Sequence, residues 1–84
     1  MSRQDRVLQR VLGGSSDANI RFDDLGGLLR KLGFAERIKG GHHIFRKAGV
    51  ALKINLQRDG SHVKPYQVKQ VRQVLNTYPL MRDY

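Results

Sequence analysis

Two adjacent histidines are the residues of this chain best suited to chemistry. His42 and His43 stand in the segment KGGHHIFRK, residues 39–47, behind two glycines and ahead of an apolar pair. An imidazole titrates near neutral pH, so it can act as a general base or a general acid. RNA carries its own nucleophile, the 2′-hydroxyl, and one well-placed imidazole could therefore accelerate strand cleavage without a metal ion.

Cationic side chains crowd around the two histidines. Four of them could hold a phosphate and stabilise developing negative charge: Arg37, Lys39, Arg46 and Lys47. The simpler explanation of the same spacing is a pair of solvated histidines on an ordinary basic strand. The residue types alone leave both explanations open.

Strand geometry separates the two imidazoles. Neighbouring residues of a strand point to opposite faces, so both histidines cannot serve one site. His43 shares its face with Phe45, and His42 shares its face with Ile44. Phe45 is the larger apolar residue and the better candidate for the core, although Ile44 could also claim that place. The pattern predicts that His43 points inward and His42 outward.

Metal and triad chemistry find no support in the sequence. The chain has no cysteine, two adjacent histidines cannot chelate from one regular strand, and His62 lies in a distant loop without a carboxylate cluster. Ser61 beside His62 is a turn pair, and nothing completes a catalytic triad. We therefore predict neither a metal nor another cofactor.

A second basic segment, KPYQVKQVR, covers residues 64–72. A helix start exposes unpaired N–H groups that bind phosphate, and Lys64, Lys69 and Arg72 add positive charge. Tyr66 could stack on a base or pack on the sheet edge. The alternative is an ordinary solvated helix face, and the net charge favours a surface for nucleic acid or a partner.

Size and charge set the wider limits. The chain has 84 residues, which suits a single domain, and its 16 Lys and Arg against 7 Asp and Glu give a formal net charge of +9. Such an excess favours a polyanionic partner, either nucleic acid or a strongly acidic protein, over a merely soluble charged surface. No apolar run is long enough to span a bilayer, and no signal peptide is visible, so we expect a soluble cytoplasmic protein.

The periodicity of apolar residues predicts the order helix, helix, three strands, helix. The first predicted helix covers residues 3–12, the second is capped by Asp23 and ended by Gly33, and the third runs from Pro65 to Pro79. The predicted strands cover residues 35–39, 42–47 and 50–57. The last two helices can cover one face of an antiparallel three-stranded meander, which makes a two-layer α+β domain with an open sheet face. We expect one domain over residues 1–84, with an accessory helix (1–14), a core (16–79) and a frayed tail (80–84).

Three segments of the chain resemble the HicA toxin family. KGGHHIF, residues 39–45, resembles its Gly-Ser-His-His-x-Phe signature. INLQRDGSHVKPYQVKQVR, residues 54–72, is similar to the closing strand, loop and helix of one HicA subgroup. DANIRFDDLGGLLRKLGF, residues 17–34, resembles the opening helix of that subgroup. The resemblance covers most of the chain, from about Ser16 onward.

The resemblance implies a double-stranded-RNA-binding-domain-like fold, α-β-β-β-α, here with an extra N-terminal helix. It implies a ribosome-independent mRNA interferase, an endoribonuclease that is the toxin of a type II toxin–antitoxin system. It also implies a HicB-like antitoxin as partner, with the toxin a monomer alone or a hetero-oligomer with that antitoxin.

The resemblance also implies a catalytic residue. The catalytic histidine of the family carries over onto His42, or onto His43 in the manner of those members whose single histidine stands one position later. One departure is visible, because Gly41 stands where the family usually has serine, and a missing hydroxyl there could reduce activity. Two other functions stay open: a non-catalytic module that binds double-stranded RNA, and an interaction domain for an acidic protein.

Overall fold

A three-stranded antiparallel sheet and three α-helices build the part of the chain that the structure, a computed structural model, describes, residues 2–80. In chain order the elements are α1 (Arg3–Gly13), a short 3-10 helix (Asp17–Asn19), α2 (Phe22–Lys31), β1 (Ala35–Lys39), β2 (His42–Arg46), β3 (Ile54–Gln57) and α3 (Pro65–Thr77). This arrangement confirms the predicted order of elements and the α+β class. None of the helices in these residues is long and apolar enough to cross a membrane.

The first helix begins with a capping box. The Asp5 N–H donates to the Ser2 hydroxyl at 3.2 Å, and the Ser2 N–H donates to the Asp5 carboxylate at 3.0 Å. These two bonds satisfy amides that the helix itself leaves without a partner. Val7 and Val11 are buried on the inner side of α1, so this helix contributes to the core of the domain.

The second helix begins earlier than the sequence predicts. Asp23 was the predicted N-cap, but Arg21 takes that position and Phe22 is already helical. The reason lies in the neighbouring loop, because the Phe22 N–H donates to the Ser61 carbonyl oxygen at 3.0 Å and fixes the chain there. At the other end the prediction is confirmed, since Gly33 has the left-handed φ of 95° that ends a helix.

The sheet is a meander in the order β1-β2-β3. Strands β1 and β2 form a hairpin whose two-residue turn is Gly40-Gly41, and Gly40 has a φ of 60°. A left-handed first turn residue is typical of the type II′ turn, which matches the twist of the flanking strands. The register pairs Lys39 with His42, and His42 in turn with Gln57.

The third strand is shorter than the sequence predicts. Alternating apolar residues predicted a strand over residues 50–57, but β3 spans only Ile54–Gln57. The pairing of β2 with β3 stops at Phe45 and Ile54, and β2 itself ends one residue later at Arg46, so residues 50–52 have no strand residue opposite them. This segment packs toward the end of α3 instead, where the Ala51 N–H donates to the Tyr78 hydroxyl at 3.2 Å.

The core lies between one face of the sheet and the helices. Helices α2 and α3 pack against the sheet, and α1 packs against both of them. The sheet, α2 and α3 contribute fully buried side chains such as Phe45, Ile54, Leu56, Leu25, Leu28, Leu29, Val68, Val71 and Val74. None of the helices in the described part of the chain covers the opposite face of the sheet, which agrees with the predicted open face.

The C-terminal segment departs from the expectation of a frayed tail at its first residue. Leu80 is buried in the core, and its N–H donates to the Tyr78 carbonyl oxygen at 2.8 Å. The remainder of the predicted tail, residues 81–84, lies outside the described residues.

Candidate active site

The two adjacent histidines point to opposite faces of the sheet. His42 is exposed on the open face, whereas the His43 side chain is only 18% exposed and lies on the helix side beside the buried Phe45. The orientation predicted from strand alternation is therefore confirmed. The two imidazoles occupy separate sites, and each has its own hydrogen-bond partner.

His42 is held by its neighbour on the third strand. Its Nδ1 lies 3.3 Å from the Asn55 side-chain oxygen Oδ1. Because an amide oxygen only accepts, this hydrogen bond forms in the tautomer whose proton is on Nδ1. The other ring nitrogen, Nε2, then keeps a lone pair that can accept a proton from a bound molecule.

The open face around His42 is cationic. Strand alternation and register place three exposed cations on the same face as His42: Arg37, Lys39 and Arg46. None of the strand residues on this face is acidic. With the half-buried Ile44 they help to line a shallow concavity of about 710 Å³ that extends to Lys53. Glu36 lines the same concavity, but its carboxylate is bonded to His43 and Arg30 on the helix side of the sheet. A phosphate bound on the open face would therefore meet mainly the positive charge of Arg37, Lys39 and Arg46.

His43 is held by a carboxylate. Its Nδ1 lies 2.7 Å from Glu36 Oε2, and Arg30 Nη1 donates to the second oxygen of that carboxylate at 2.8 Å. Burial alone would raise the pKa of Glu36, but the bonds to His43 and the Arg30 charge outweigh it and hold the pKa below its ordinary value. The ring edge of His43 packs on Phe22, with centroids 4.7 Å apart and an interplanar angle of 72°.

The helix-side site extends to the loop after β3. The Arg58 guanidinium lies 4.3 Å from the centre of the Phe22 ring, within cation–π distance. Arg58 also donates to Asp23 at 2.9 Å, so the loop is joined to the first turn of α2. Glu36 and Phe22 both contact His43, whereas His42 is exposed and its one hydrogen-bond partner is Asn55.

Sequence reasoning missed Asn55, Arg30 and Glu36 as partners of the histidines. One signal was present for Glu36, since it is the single acidic residue between Asp24 and Asp59. Its position opposite Phe45 also places it on the same face as His43. The partner of His42 carried no signal, because the register between β2 and β3 cannot be read from the residue types.

The predicted cations of α3 lie in the helix layer, apart from the open sheet face. Lys64 is the exposed N-cap of α3, and Tyr66 is 61% exposed, so it does not pack on the sheet edge. Lys69 is exposed, and Arg72, followed by a smaller effect of the Lys69 charge, lowers the pKa of Asp17. Lys47, the predicted cation that follows β2, is half-buried, and its amine end lies over Gly33 at the end of α2.

Arg72 has a structural partner. Its guanidinium donates to both carboxylate oxygens of Asp17, at 2.9 and 3.0 Å, and to the Val11 carbonyl oxygen at 2.9 Å. The hydrogen bond from Arg72 lowers the pKa of Asp17, and the same bond raises the pKa of Arg72. The guanidinium therefore joins α3 to α1 and the 3-10 helix, and its charge is already neutralised.

The third histidine lies in a different setting. His62 Nδ1 is 3.0 Å from the Ser61 hydroxyl, and no carboxylate of residues 2–80 is hydrogen-bonded to the ring to complete a triad. The backbone of His62 pairs with Asp59 and Arg21, which ties this loop to the start of α2. Within residues 2–80 no group of three or more His, Cys, Asp or Glu side chains could hold a metal ion.

Comparisons of the chain with protein-family models, with curated proteins and with solved structures found no match in any of the three. The function must therefore be inferred from the residues and geometry of the chain itself.

Proposed function

We propose that this protein is a metal-independent mRNA interferase, the toxin of a type II toxin–antitoxin system, with His42 as its general acid and base. The observation that carries the proposal is the exposed imidazole of His42 on a sheet face whose charged strand residues are all cationic. The resemblance of residues 39–45, 54–72 and 17–34 to the HicA family supports the same function. The element order after α1 is compatible with the double-stranded-RNA-binding-domain-like fold of that family.

The geometry suits cleavage by the RNA's own hydroxyl. In this mechanism His42 Nε2 takes the proton of a ribose 2′-hydroxyl, and the 2′-oxygen forms a bond to the adjacent phosphorus. The bond from phosphorus to the 5′-oxygen breaks, and the proton returns from His42 to that leaving oxygen. Arg37, Lys39 and Arg46 stabilise the charge that develops on the phosphate oxygens.

His43 is the alternative catalytic residue. Its carboxylate partner Glu36 fixes the ring and leaves Nε2 as the proton acceptor, which is the arrangement of a general base oriented by an acid. Its lower exposure restricts access of an RNA strand, whereas His42 lies in the open. For this reason we favour His42 and treat His43 as the residue to be tested beside it.

The proposed partner is a HicB-like antitoxin that would cover the cationic face. The net charge of +9 suits both mRNA and an acidic protein, and the toxin would be a monomer alone or a hetero-oligomer with the antitoxin. The exposed Lys64, Tyr66 and Lys69 on α3 would add contacts to the RNA backbone or to an unstacked base.

A non-catalytic module for double-stranded RNA is the second candidate function. The same cations support it, because duplex RNA is bound mainly through phosphates and shape. The histidines distinguish the two functions, since binding alone needs no imidazole with a free Nε2.

The test is induced expression of wild type beside His42→Ala, His43→Ala and His62→Ala, with RNA integrity and growth as readouts. We expect His42→Ala to abolish cleavage, and His62→Ala to retain it as the matched control. Purified protein should cleave single-stranded mRNA in the presence of a chelator. Cleavage lost only in His43→Ala would assign catalysis to His43, and a wild type that binds duplex RNA without cutting any RNA would establish the second function.

A further inference from the structure

One edge of the sheet is unpaired. Strand β1 pairs only with β2, and no hydrogen bond from another part of residues 2–80 reaches its outer side. In a hairpin with a two-residue turn, the two residues that flank the turn are hydrogen-bonded to each other. Non-hydrogen-bonded and hydrogen-bonded pairs then alternate along the two strands. Lys39 closes this hairpin with His42, so the outward N–H and C=O groups of β1 belong to Glu36 and Ile38.

A side chain occupies part of the other edge of the sheet. The Gln57 N–H on the outer side of β3 donates to the side-chain oxygen of Gln67 at 3.3 Å. Gln67 is itself only 3% exposed, because it lies within the packed face of α3. A further strand would therefore have to displace the Gln67 bond to join at β3, whereas nothing in residues 2–80 competes for the outward groups of β1.

The side chains along β1 specify what such a strand would carry. Arg37 and Lys39 are exposed on the open face, and Ile38 is 63% exposed on the other side. The concavity of about 710 Å³ runs along all five residues of β1, Ala35–Lys39. An added strand with acidic side chains on one face and apolar ones on the other would match the cations on the open face and the exposed Ile38 on the helix side.

We propose that β1 takes up an extended acidic segment of another polypeptide as a fourth strand of the sheet. Main-chain bonds to Glu36 and Ile38 would provide affinity, and the charges of Arg37 and Lys39 would select alternate acidic side chains. The proposal goes beyond RNA cleavage and holds whether or not the protein is a nuclease.

Two other occupants fit the edge less well. A second copy of this chain would bring its own Arg37 and Lys39 against the same residues, and like charges on neighbouring strands repel. An RNA strand would satisfy these cations, but it has no regular main chain to pair with the outward groups of Glu36 and Ile38. The exposed amides therefore favour a polypeptide.

The test uses hydrogen exchange of the full chain, followed by NMR, with a soluble peptide of alternating Glu and Val as probe. At millimolar peptide we expect the amides of Glu36 and Ile38 to exchange at least about tenfold more slowly, while the already bonded Gln57 amide does not change. The same peptide methylated on alternate backbone nitrogens keeps its side chains but cannot pair, so it should have no such effect.

A variant with reversed charges at Arg37 and Lys39 tests whether these cations select the acidic side chains. The double variant Arg37→Glu/Lys39→Glu should lose the effect of the Glu-Val peptide and gain it with a Lys-Val peptide, while Arg6→Glu on α1 should behave as wild type. Unchanged exchange at Glu36 and Ile38 would overturn the proposal, as would equal slowing by the methylated peptide. Equal slowing by a short RNA would assign this edge to nucleic acid instead.

Discussion

The Nδ1 atom of His43 lies 2.7 Å from the Oε2 atom of Glu36, and this short bond joins the two strands of the hairpin on the helix side. Arg30 brings α2 to the same carboxylate at 2.8 Å. β1, β2 and α2 thus meet at the Glu36 carboxylate, which lies on the opposite side of the sheet from the proposed active face. The bond links the histidine segment to the helix layer.

Glu36 should make the stability of the protein sensitive to acid. Its pKa in the folded state is below the ordinary value of 4.5, so its contribution is complete above that pH and is lost as the pH falls through the folded-state pKa. We expect Glu36→Gln to lower the free energy of unfolding by about 1 kcal/mol near neutral pH, after allowance for solvent screening. Urea unfolding of both proteins measures this.

The difference between wild type and Glu36→Gln should shrink steadily below pH 4.5. A matched control is Asp23→Asn, which removes a carboxylate that is 71% exposed and should change stability little at any pH. A difference that stays constant with pH would contradict the role of the ionised carboxylate.

The cations of the open face should contribute to RNA binding through counterion release. Replacing Arg37 or Lys39 with Gln should reduce the slope of log K against log salt by about 0.7 for single-stranded RNA, because each removes one phosphate contact. Arg6→Gln removes an equal charge from an exposed position on α1 and should leave the slope nearer that of wild type. Filter binding at several salt concentrations measures the slopes, and equal loss in all three variants would show that only net charge matters.

Gly41 should accept the serine that the resembled family has at this position. A side chain at Gly41 would meet no atom within 4 Å, and its φ lies outside the left-handed region. We expect Gly41→Ser to keep wild-type stability and to raise RNA cleavage if the hydroxyl contacts the substrate. Gly40→Ser is the contrasting variant, because a φ of 60° should cost it about 1 kcal/mol. Thermal unfolding beside a cleavage assay separates these effects, and a destabilised Gly41→Ser would contradict the geometry.

The N-terminal helix should be needed for stability. Val11 on α1 is fully buried, so Val11→Ala should lower the free energy of unfolding by about 2 kcal/mol. Its neighbour Leu12 is 42% exposed, and Leu12→Ala should change stability by less than about 0.5 kcal/mol. Urea unfolding measures both, and similar small losses would show that α1 is dispensable.

Much of the fold could be predicted from local patterns. Apolar spacing located the helices, the Gly40-Gly41 pair located the hairpin turn, and the size of Phe45 oriented the two histidines correctly. The error in the third strand has a physical reason. Alternation reports how side chains divide between two faces, but a strand also needs a partner at the right register, which residues 50–52 lack.

The partners within the candidate site could not be predicted in the same way. Arg72 looked like a phosphate ligand because its charge stands in a basic helix, yet it binds Asp17 from 55 positions away. The Asn55 contact to His42 depends on strand register, and the misplaced N-cap of α2 depends on a bond to Ser61. Each of these features is a long-range contact that no local pattern encodes.

Two consecutive imidazoles on opposite faces also form a pair of internal NMR reporters. A ligand on the open face should shift the ring signals of His42 first, whereas loosening of the helix layer from the sheet should shift those of His43, which is tied to Glu36 and Phe22. Binding and partial unfolding can therefore be distinguished in one spectrum of the unmodified protein.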